Sequence, residues 1–533
     1  MERDRKRKLW KMTAAVSAGI LVILAAVLLI RKYMPTGQKM SGYDYFKTDS
    51  AAENDSTLVI LDNEILYDKG RYIDGRLYLQ QSFVQDNVNM RFYYDKESNA
   101  VLYSDWSAVY TYYPDVKGYR DQNGNTYDTE YEVIKTADGV IYIDFEYMAA
   151  VSNISYEYAK EPQRLVLHTT HEEQNEVTIR KNTVVRYRAG IKSKVLEKVK
   201  KGTVCQYVGA VDDDWIEVIT PSGYQGYVKK NAASDVYTAV PEDTYTEEYQ
   251  SNLCGYKVNM TWFQVTQRAA NAYIDTYLED VSGINTISPT WYSIADGTGE
   301  LTSLASDTFV SNMHARGLKV WPLVNDFNNN VDYAAFYSSK TARTKLINNL
   351  MQEARQYGYD GYNIDFEYVK KDFADDYLQF LRELSIACQN NGLVLSVDNY
   401  KPANHNAHYE LAEQAVFVDY IVIMGYDEHY AGSDAGSVAS LPFVEDGTIT
   451  LIGATTENPY FYVYNAVLSR SVVFEFKQIE PSEIEKALER AVEELKQSDY
   501  KGFDVTVDKD AIRHMAHVSN GDVRKALNSL EVA

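Results

Sequence analysis

From Gly255 onward, short apolar runs alternate with longer amphipathic stretches, and this alternation limits the possible folds more than any other feature of the chain. Runs such as KVNMTWFQVT, LKVWPLVNDF and LVLSVDNY have the length and composition of buried strands. TARTKLINNLMQEARQYG and FADDYLQFLRELSIACQNNG have the spacing of amphipathic helices. Because strands that alternate with helices form parallel sheets, about six such strands predict an α/β fold.

The residues that can carry chemistry concentrate on the fourth run, YDGYNIDFEYV. Side chains alternate along a strand, so Asn363, Asp365 and Glu367 point to one face. In a β/α barrel that face is the interior, and the carboxyl end of the strand opens onto the active site. Two carboxylates on one closed surface repel, so one keeps its proton to higher pH, as a general acid requires. The spacing therefore predicts a pair of catalytic carboxylates.

This run resembles the Asp-x-x-Asp-x-Asp-x-Glu signature of glycoside hydrolase family 18, matched by Asp360, Asn363, Asp365 and Glu367. The family's Met-x-Tyr-Asp motif is matched on the sixth strand by residues 424–427. The resemblance implies an incomplete (β/α)8 TIM barrel of about six units over residues 250–443. It also implies retaining hydrolysis of a glycan that contains N-acetylglucosamine, with the substrate's own acetamido oxygen as the nucleophile.

The resemblance assigns roles to individual residues. Glu367 would protonate the glycosidic oxygen, Asp365 would orient the acetamido group, and the Tyr426 hydroxyl would steady its carbonyl. Asn363 and Asp360 complete the catalytic set, and Asp398 is a further candidate. The aromatic faces for sugar rings, each equally compatible with the core, are Trp262, Trp291, Trp321 and Tyr362, and Met424 and Asp427 complete the substrate-binding set. The resemblance implies no cofactor and no metal.

One position departs from the family pattern. Asn363 stands where the family has an inner Asp, and an amide cannot share a proton with Asp365. An Asn at this position is typical of the branch of the family associated with spore and cell-wall peptidoglycan. The resemblance therefore favours peptidoglycan over chitin as the substrate.

The N-terminus predicts a membrane anchor. The run TAAVSAGILVILAAVLLI carries no charge, and its length of about 27 Å matches the hydrocarbon core of a bilayer. The tail before it is rich in Arg and Lys, which stay on the cytoplasmic side. We predict a cytoplasmic tail over residues 1–12, a single-pass anchor over residues 13–31 and extracellular main domains. A cleaved signal peptide shares this layout, but no small-x-small cleavage site follows in RKYMPTGQK.

Three further segments are predicted between the anchor and the barrel. Residues 38–56 are polar and read as a linker. Residues 57–171 contain short Val/Ile/Tyr-rich runs broken by turns such as DQNGN and TADG, and resemble the β-rich copper amine oxidase N-terminal-like domains, which bind no copper. Residues 176–237 resemble the bacterial SH3 fold, with Trp215 and Tyr227 on strands. Such modules often bind cell-wall peptides, although a structural spacer fits equally well.

From about Val444 the pattern of the barrel stops. Residues 444–533 resemble the AAA+ ATPase called replication-associated recombination protein A, from its sensor-1 strand to its helical lid. The nucleotide-related positions that match are Asn458, Arg470 and Arg524. The chain contains no Gly-x-x-x-x-Gly-Lys-[Ser/Thr] loop, so these positions are vestigial and ATPase activity is not expected.

Two explanations of this junction stay open: a fusion in the gene or its assembly, which we favour, or replacement of the last barrel strands by TITLIGA and SVVFEF. An open barrel exposes strand edges and core, which impairs folding or activity.

Composition narrows the functional classes. A net charge of −23 argues against a nucleic-acid partner, because phosphate binding requires a basic face. Three widely spaced cysteines make neither a zinc site nor a disulfide framework. The expected function is a membrane-anchored cell-surface glycosidase with glycan, cell wall and membrane as partners. The alternatives are a non-catalytic wall-binding protein and an inactive recombination-ATPase fragment joined by fusion.

Overall fold

The computed structural model describes residues 2–48, 55–246, 250–279, 281–426, 429, 481–497, 506–519, 521 and 523–532. The chain divides into two compact units, Met1–Met424 and Gly425–Ala533.

The N-terminal helix α1 (Glu2–Tyr33) contains one stretch, Arg7–Ala25, that is long and apolar enough to cross a membrane. A signal sequence near an N-terminus has the same properties. None of this 19-residue stretch is buried against other parts of the protein, so its apolar surface has no partner within the described chain.

The juxtamembrane segment, residues 34–48, is packed against the SH3-like domain, so the predicted linker is wrong for residues 38–48; residues 49–54 lie outside the described part. Met40 N–H donates to the carbonyl of Val195 at 2.9 Å, which adds main chain to a sheet edge. Helix α2 (Gly42–Phe46) then places Phe46, which is 0% exposed, in the SH3-like core. A Cβ at Gly42 would lie 2.1 Å from the carbonyl oxygen of Glu161, so only glycine fits there.

The β-rich domain contains two sheets around one apolar core. The seven-stranded sheet has the order β11-β12-β1-β2-β3-β10-β9, and the five-stranded sheet runs from β4 to β8 in chain order. The elements are β1 (Ser56–Leu61), β2 (Glu64–Ile73), β3 (Arg76–Gln80), α3 (Gln81–Asn87), β4 (Phe92–Asp95), β5 (Ala100–Ser104), β6 (Val109–Tyr112), β7 (Lys117–Arg120), β8 (Thr126–Glu132), β9 (Ile134–Ala137), β10 (Val140–Asp144), α4 (Phe145–Ala150), β11 (Ser155–Ala159) and β12 (Arg164–His168).

The SH3-like domain is a seven-stranded sheet with the order β15-β14-β18-β17-β16-β13-β19. Trp215 and Tyr227 lie on strands, as predicted. Its core also includes Ile60 and Val166 of the β-rich domain, so the two domains share buried apolar surface. The strands are β13 (Gln174–Thr178), β14 (Thr183–Arg186), β15 (Val195–Val199), β16 (Val204–Ala210), β17 (Trp215–Ile219), β18 (Gln225–Lys229) and β19 (Tyr237–Ala239).

The α/β domain contains two sheets of parallel strands. In the first, β20 pairs with β21 and β21 pairs with β24. In the second, β22, β25, β26, β27 and β28 pair in that order. The short β23 is antiparallel to β22. The elements are β20 (Met260–Phe263), α5 (Ile274–Tyr277), β21 (Thr286–Pro289), β22 (Tyr292–Ile294), β23 (Leu301–Ser303), α6 (Asp307–Ala315), β24 (Lys319–Val320), β25 (Leu323–Asn325), α7 (Tyr333–Ser338), α8 (Lys340–Tyr357), β26 (Gly361–Asp365), α9 (Ala374–Asn390), β27 (Val394–Tyr400), α10 (Leu411–Phe417) and β28 (Tyr420–Met424).

Helix α8 shows how local sequence places the central strand. The Ser339 hydroxyl accepts the N–H of Ala342 at its first turn, and Gly358 ends the helix with a φ of 74°. Leu346 and Leu350 are fully buried on the face toward the sheet. The helix therefore ends at a fixed point just before β26, the strand that carries Asn363 and Asp365.

Buried ionic contacts join the β-rich domain to the α/β domain, so the former is not a free spacer. Arg343 of α8 is 0% exposed and lies 3.0 Å from Glu383 of α9 and 3.7 Å from Asp95 of β4. Arg91 lies 3.1 Å from Glu413 of α10. Such contacts require both domains to keep one arrangement, because a buried charge without its partner is costly.

In the second unit the structure describes three helices, α11 (Pro481–Gln497), α12 (Lys509–Val518) and α13 (Val523–Val532). Apolar residues on them, among them Leu488, Ile512 and Ala526, form a common core. The predicted lid of an AAA+ fragment remains a prediction. Asn458, Arg470 and the junction near residue 444 lie outside the described residues, as does the side chain of Arg524.

Candidate active site

Asn363 is the centre of the polar interior of the sheet. Its Oδ1 accepts from Trp262 Nε1 at 2.9 Å and from Ser288 Oγ at 3.1 Å. Its Nδ2 donates to Ser396 Oγ at 3.0 Å and to Asp398 Oδ1 at 2.8 Å. An amide offers two donors and two acceptor positions, so all four are used. Asn363 on β26 therefore binds residues of three other strands, β20, β21 and β27, and takes no part in proton exchange.

Buried carboxylates surround Asn363. Burial, together with the nearby charges of Asp398 and Glu367, raises the pKa of Asp365 to about 8. Burial also raises the pKa of Asp398 to about 7, although hydrogen bonds from Asn363 and Trp262 oppose the shift. Asp365 therefore interacts with two other carboxylates, Glu367 beyond the end of β26 and Asp398 of β27. The Oδ1 atom of Asp365 is buried without a hydrogen-bond partner in the described part of the chain, so it can receive a donor from a ligand.

Glu367 lies two residues beyond the end of β26 and is half-buried. The hydroxyl of Tyr400 donates to its Oε2. Its own N–H donates to Asp326 Oδ1 at 2.9 Å, and the N–H of Tyr368 donates to Asp326 Oδ2 at 2.9 Å. The backbone at Glu367 is therefore fixed by a neighbouring strand's carboxylate.

Sequence reasoning missed Asp326 and Tyr400. Asp326 follows directly after β25, and Tyr400 ends β27. The carboxyl ends of parallel strands meet at one edge of a sheet, so polar residues there gather even when they are far apart in the sequence. This position was the signal available for both.

The catalytic role predicted for Asp360 is wrong. Asp360 precedes β26, at the opposite end of the strand from Asp365. It accepts from His314 Nε2 and Lys319 Nζ, both at 2.8 Å, and from the N–H of Val320 at 3.0 Å. Its carboxylate ties the amino ends of two strands together and does not reach the site.

Two predicted sugar platforms are core residues. Trp291 is 1% exposed, packs edge-on against Phe309 and donates from Nε1 to Asn271 at 2.8 Å. Tyr362 is 0% exposed and donates to the carbonyl of Leu350 on α8. Both lie on the helix-facing side of the sheet. The outward positions of a parallel strand are as apolar as the inward ones, so the sequence does not show which side a residue occupies.

The remaining predicted substrate-binding residues lie in different places, and of these Trp262 alone forms a hydrogen bond with Asn363 in the described part of the chain. Trp262 reaches the site through its hydrogen bond with Asn363. Trp321 is buried beside Tyr420, near the amino end of β26, so it fills the interior away from the carboxylates. Met424 is buried at the end of β28, and Tyr426 is exposed in the second unit. Asp427 lies outside the described residues.

The raised pKa of Asp365 predicts a pH-dependent stability difference. Asp365 keeps its proton in the folded chain up to a pKa of about 8, whereas an unfolded carboxyl loses it near 3.8. The stability linked to this proton is present at pH 4 and is lost as pH rises through 8. We therefore expect the Tm of Asp365→Asn, minus that of the native protein, to become more positive by several degrees between pH 5 and pH 9.

A matched control is Asp296→Asn. A hydrogen bond from Thr298 lowers the pKa of the exposed Asp296, so this carboxyl is ionised in both the folded and the unfolded chain between pH 5 and pH 9. The Tm difference for Asp296→Asn should therefore not change over this range. A Tm difference for Asp365→Asn that does not change with pH would contradict the assignment.

Known families match two of these regions. Residues 257–466 match the family model of Glycosyl hydrolases family 18, and residues 180–235 match that of the bacterial SH3 domain. The chain therefore contains a glycoside hydrolase family 18 domain and a bacterial SH3 domain. The first match extends beyond residue 443, where the barrel was predicted to stop.

Individual relatives fall into two groups. The chain is 31% identical over 177 residues to a candidate sporulation-specific glycosylase, YdhD, of Bacillus subtilis, which covers 32% of this chain and 37% of that protein. It is 43% identical over 110 residues to replication-associated recombination protein A of Escherichia coli, which covers 21% of this chain and 24% of that protein. The chain thus spans well under half the length of these curated relatives.

Solved structures resemble the chain only partially. The spore cortex-lytic enzyme SleL of Bacillus cereus has 19% identity and a TM-score of 0.30, and covers 39% of this chain and 49% of its own. A chitinase of Chromobacterium violaceum has 23% identity and a TM-score of 0.31, and covers 35% of this chain and 61% of its own.

Proposed function

We propose that this chain is a glycosidase that hydrolyses a glycan containing N-acetylglucosamine. The observation that carries the proposal is the group formed by Asp365, Asp398 and Glu367 at one sheet edge, in which burial raises the pKa of Asp365 to about 8. Asp365 interacts directly with Glu367, so the two carboxyls together hold at neutral pH the proton that acid-catalysed glycosyl transfer requires.

In the proposed mechanism, Glu367 donates a proton to the glycosidic oxygen and the bond to the anomeric carbon breaks. The acetamido oxygen of the sugar attacks the anomeric carbon from the opposite face. Asp365, ionised once its proton has passed to Glu367, accepts the acetamido N–H through its Oδ1 atom and stabilises the positive charge that develops on that group. Water then attacks the same carbon, and Glu367 takes up its proton, so the configuration of the sugar is retained.

Asn363 and Tyr426 have supporting roles in this proposal. The side-chain amide of Asn363 donates to Ser396 and Asp398 and so holds the neighbouring strand in place beside Asp365. The family motif assigns Tyr426 the role of steadying the acetamido carbonyl, and this role stays an expectation for a residue of the second unit. Trp262, which donates to Asn363, offers an aromatic face for a sugar ring.

The proposed location is the outer face of a cell membrane. Helix α1 would anchor the chain, with the basic tail in the cytoplasm. The SH3 domain would hold the cell wall, and this makes peptidoglycan a better candidate than chitin. Residues 250–443 are proposed as the catalytic domain and residues 444–533 as a recombination-ATPase fragment. This fragment would hydrolyse no nucleotide, because the chain has no phosphate-binding loop.

The test uses the full chain in detergent micelles with two substrates. N-Acetylglucosamine oligomers and purified peptidoglycan should both yield new reducing ends, and proton NMR should show the first product in the β configuration. Oligomers of glucosamine are the matched control, since they lack the acetamido nucleophile and should not be cleaved. Cleavage of both oligomers would contradict the substrate-assisted mechanism. Binding to peptidoglycan without cleavage would favour the non-catalytic wall-binding function.

A further inference from the structure

We propose that Asp326 is a positioning residue for the proposed acid Glu367, holding its backbone so that the carboxyl faces the glycosidic oxygen. The inference rests on the proposed function and adds a residue outside the motif that suggested it. Glu367 lies beyond the end of β26, so pairing of this strand with its neighbours does not fix the main chain at Glu367.

The two amides in question are satisfied by one side chain. Both carboxylate oxygens of Asp326 accept N–H groups, from Glu367 and from Tyr368, at 2.9 Å each. Hydrogen bonds to a charged acceptor are about twice as strong as neutral ones. Asp326 thus takes the place of a strand partner for the main chain at Glu367, the residue whose carboxyl must face the glycosidic oxygen.

The surroundings of Asp326 make this contact rigid. Asp326 is 0% exposed and directly follows β25, which pairs with β26 from Leu323 to Asn325. Burial raises its pKa to about 7, while the two amide hydrogen bonds oppose the shift. The groups that interact with its charge are Tyr333 and Tyr337 of α7, Asp365 of β26, Glu367, Tyr377 of α9 and Tyr409.

A second hydrogen bond fixes the other end of Glu367. The Tyr400 hydroxyl donates to Oε2, so backbone and carboxyl are held by neighbours on opposite sides of β26. Displacing a reacting group by about 1 Å can lower a rate about 100-fold, so a loose backbone at this residue matters.

Asp419 provides a control of the same chemistry. Its Oδ1 accepts the N–H of Asn252 at 2.6 Å, and its Oδ2 accepts the N–H of Leu395 at 2.8 Å. These contacts lie at the amino end of β27, away from Glu367. Asp419→Asn therefore disturbs a bridge between two amides without touching the site.

The experiment compares the native chain with Asp326→Asn and Asp419→Asn in detergent. An Asn can accept only one of the two N–H groups and presents its own donor to the other. For Asp326→Asn we expect about a 100-fold lower kcat with KM within about threefold, and about tenfold faster amide exchange in peptides that cover residues 366–370. Asp419→Asn should leave both quantities at native values.

A double variant separates positioning from general damage. Asp326→Asn added to Glu367→Gln should lower kcat no further, because the carboxyl that it positions is gone. Additive losses, native exchange at residues 366–370, or an equal loss of kcat in Asp419→Asn would each overturn the inference. If the native chain cleaves no glycan, the proposed function fails. Faster exchange confined to residues 366–370 would then still establish the contact as the support of this backbone.

Discussion

Replacement of Glu367 by glutamine is expected to lower kcat for hydrolysis of N-acetylglucosamine oligomers by about 10³-fold, within the range for loss of a general acid. Glutamine keeps the size of the side chain and can still accept the hydrogen bond from Tyr400. Glutamine has no acidic proton to donate. The leaving glycosidic oxygen could then take its proton only from water. The measurement is kcat from new reducing ends, with KM expected to stay within about threefold.

The control for this variant is Glu279→Gln, an exposed carboxyl in the same domain. It should hydrolyse the oligomers at the native rate. A derivative with a good leaving group, such as a nitrophenyl glycoside, sharpens the test, because it needs less protonation and should recover much of the lost rate. An equal loss on both substrates would mean that Glu367 supports the fold or binding and is not the acid.

The largest expected effect on stability comes from Arg343→Met. Arg343 is 0% exposed and lies 3.0 Å from Glu383 and 3.7 Å from Asp95. It also donates to the carbonyl of Tyr337 at 2.6 Å. Removing one partner of a buried ionic cluster leaves uncompensated charges, which costs about 3–5 kcal/mol. We expect a Tm decrease of about 10 °C or more in a thermal scan followed by tryptophan fluorescence.

Lys345→Met is the matched control, because Lys345 lies on the same helix and pairs with Glu300 at 2.6 Å on a partly exposed surface. Such a pair contributes about 0–1 kcal/mol, so its Tm should change by no more than a few degrees. A similar, small change in both variants would show that the β-rich domain does not stabilise the α/β domain through Arg343. Proteolysis that releases the β-rich domain from Arg343→Met alone would support the role of the cluster.

Strand alternation predicted that Asn363 and Asp365 share one face of a strand, and both are buried on β26, but it did not predict their surroundings. Asn363 and Asp365 were predicted because two inward positions on one strand follow from a period of two. Asp326 and Tyr400, which were not predicted, come from the ends of two other strands, and no local pattern indicates which strand ends are neighbours. Trp291 and Tyr362 were misassigned because periodicity cannot distinguish the two faces of a strand that is buried on both.

The motif itself misled at Asp360. A family signature records which residues recur together, but it does not say which of them meet the substrate. His314 and Lys319, which contact the carboxylate of Asp360, come from α6 and the strand that follows it. Their proximity depends on the pairing of β24 with its neighbours, which is a property of the folded sheet.

The segment after α1 misled for a different reason. Its polar composition predicted a linker, but Tyr45 and Phe46 within it were the signal of a packed element. Phe46 contacts Tyr224 at a ring distance of 4.9 Å. Two aromatic side chains in a short polar stretch are enough to dock it, because each buries a large apolar area.

With α1 as the proposed anchor, the docked juxtamembrane segment would hold the SH3-like domain at a fixed distance from the membrane surface. If the predicted linker, residues 38–56, were a free chain, the domains after it would move over roughly 25 Å relative to the bilayer. Here Lys192 of the SH3-like domain donates to the carbonyl of Met34 at 2.6 Å, just one residue beyond the end of α1. With α1 as the proposed anchor, new wall material would be reached by diffusion of the protein within the membrane plane, and only in the layer at that fixed height.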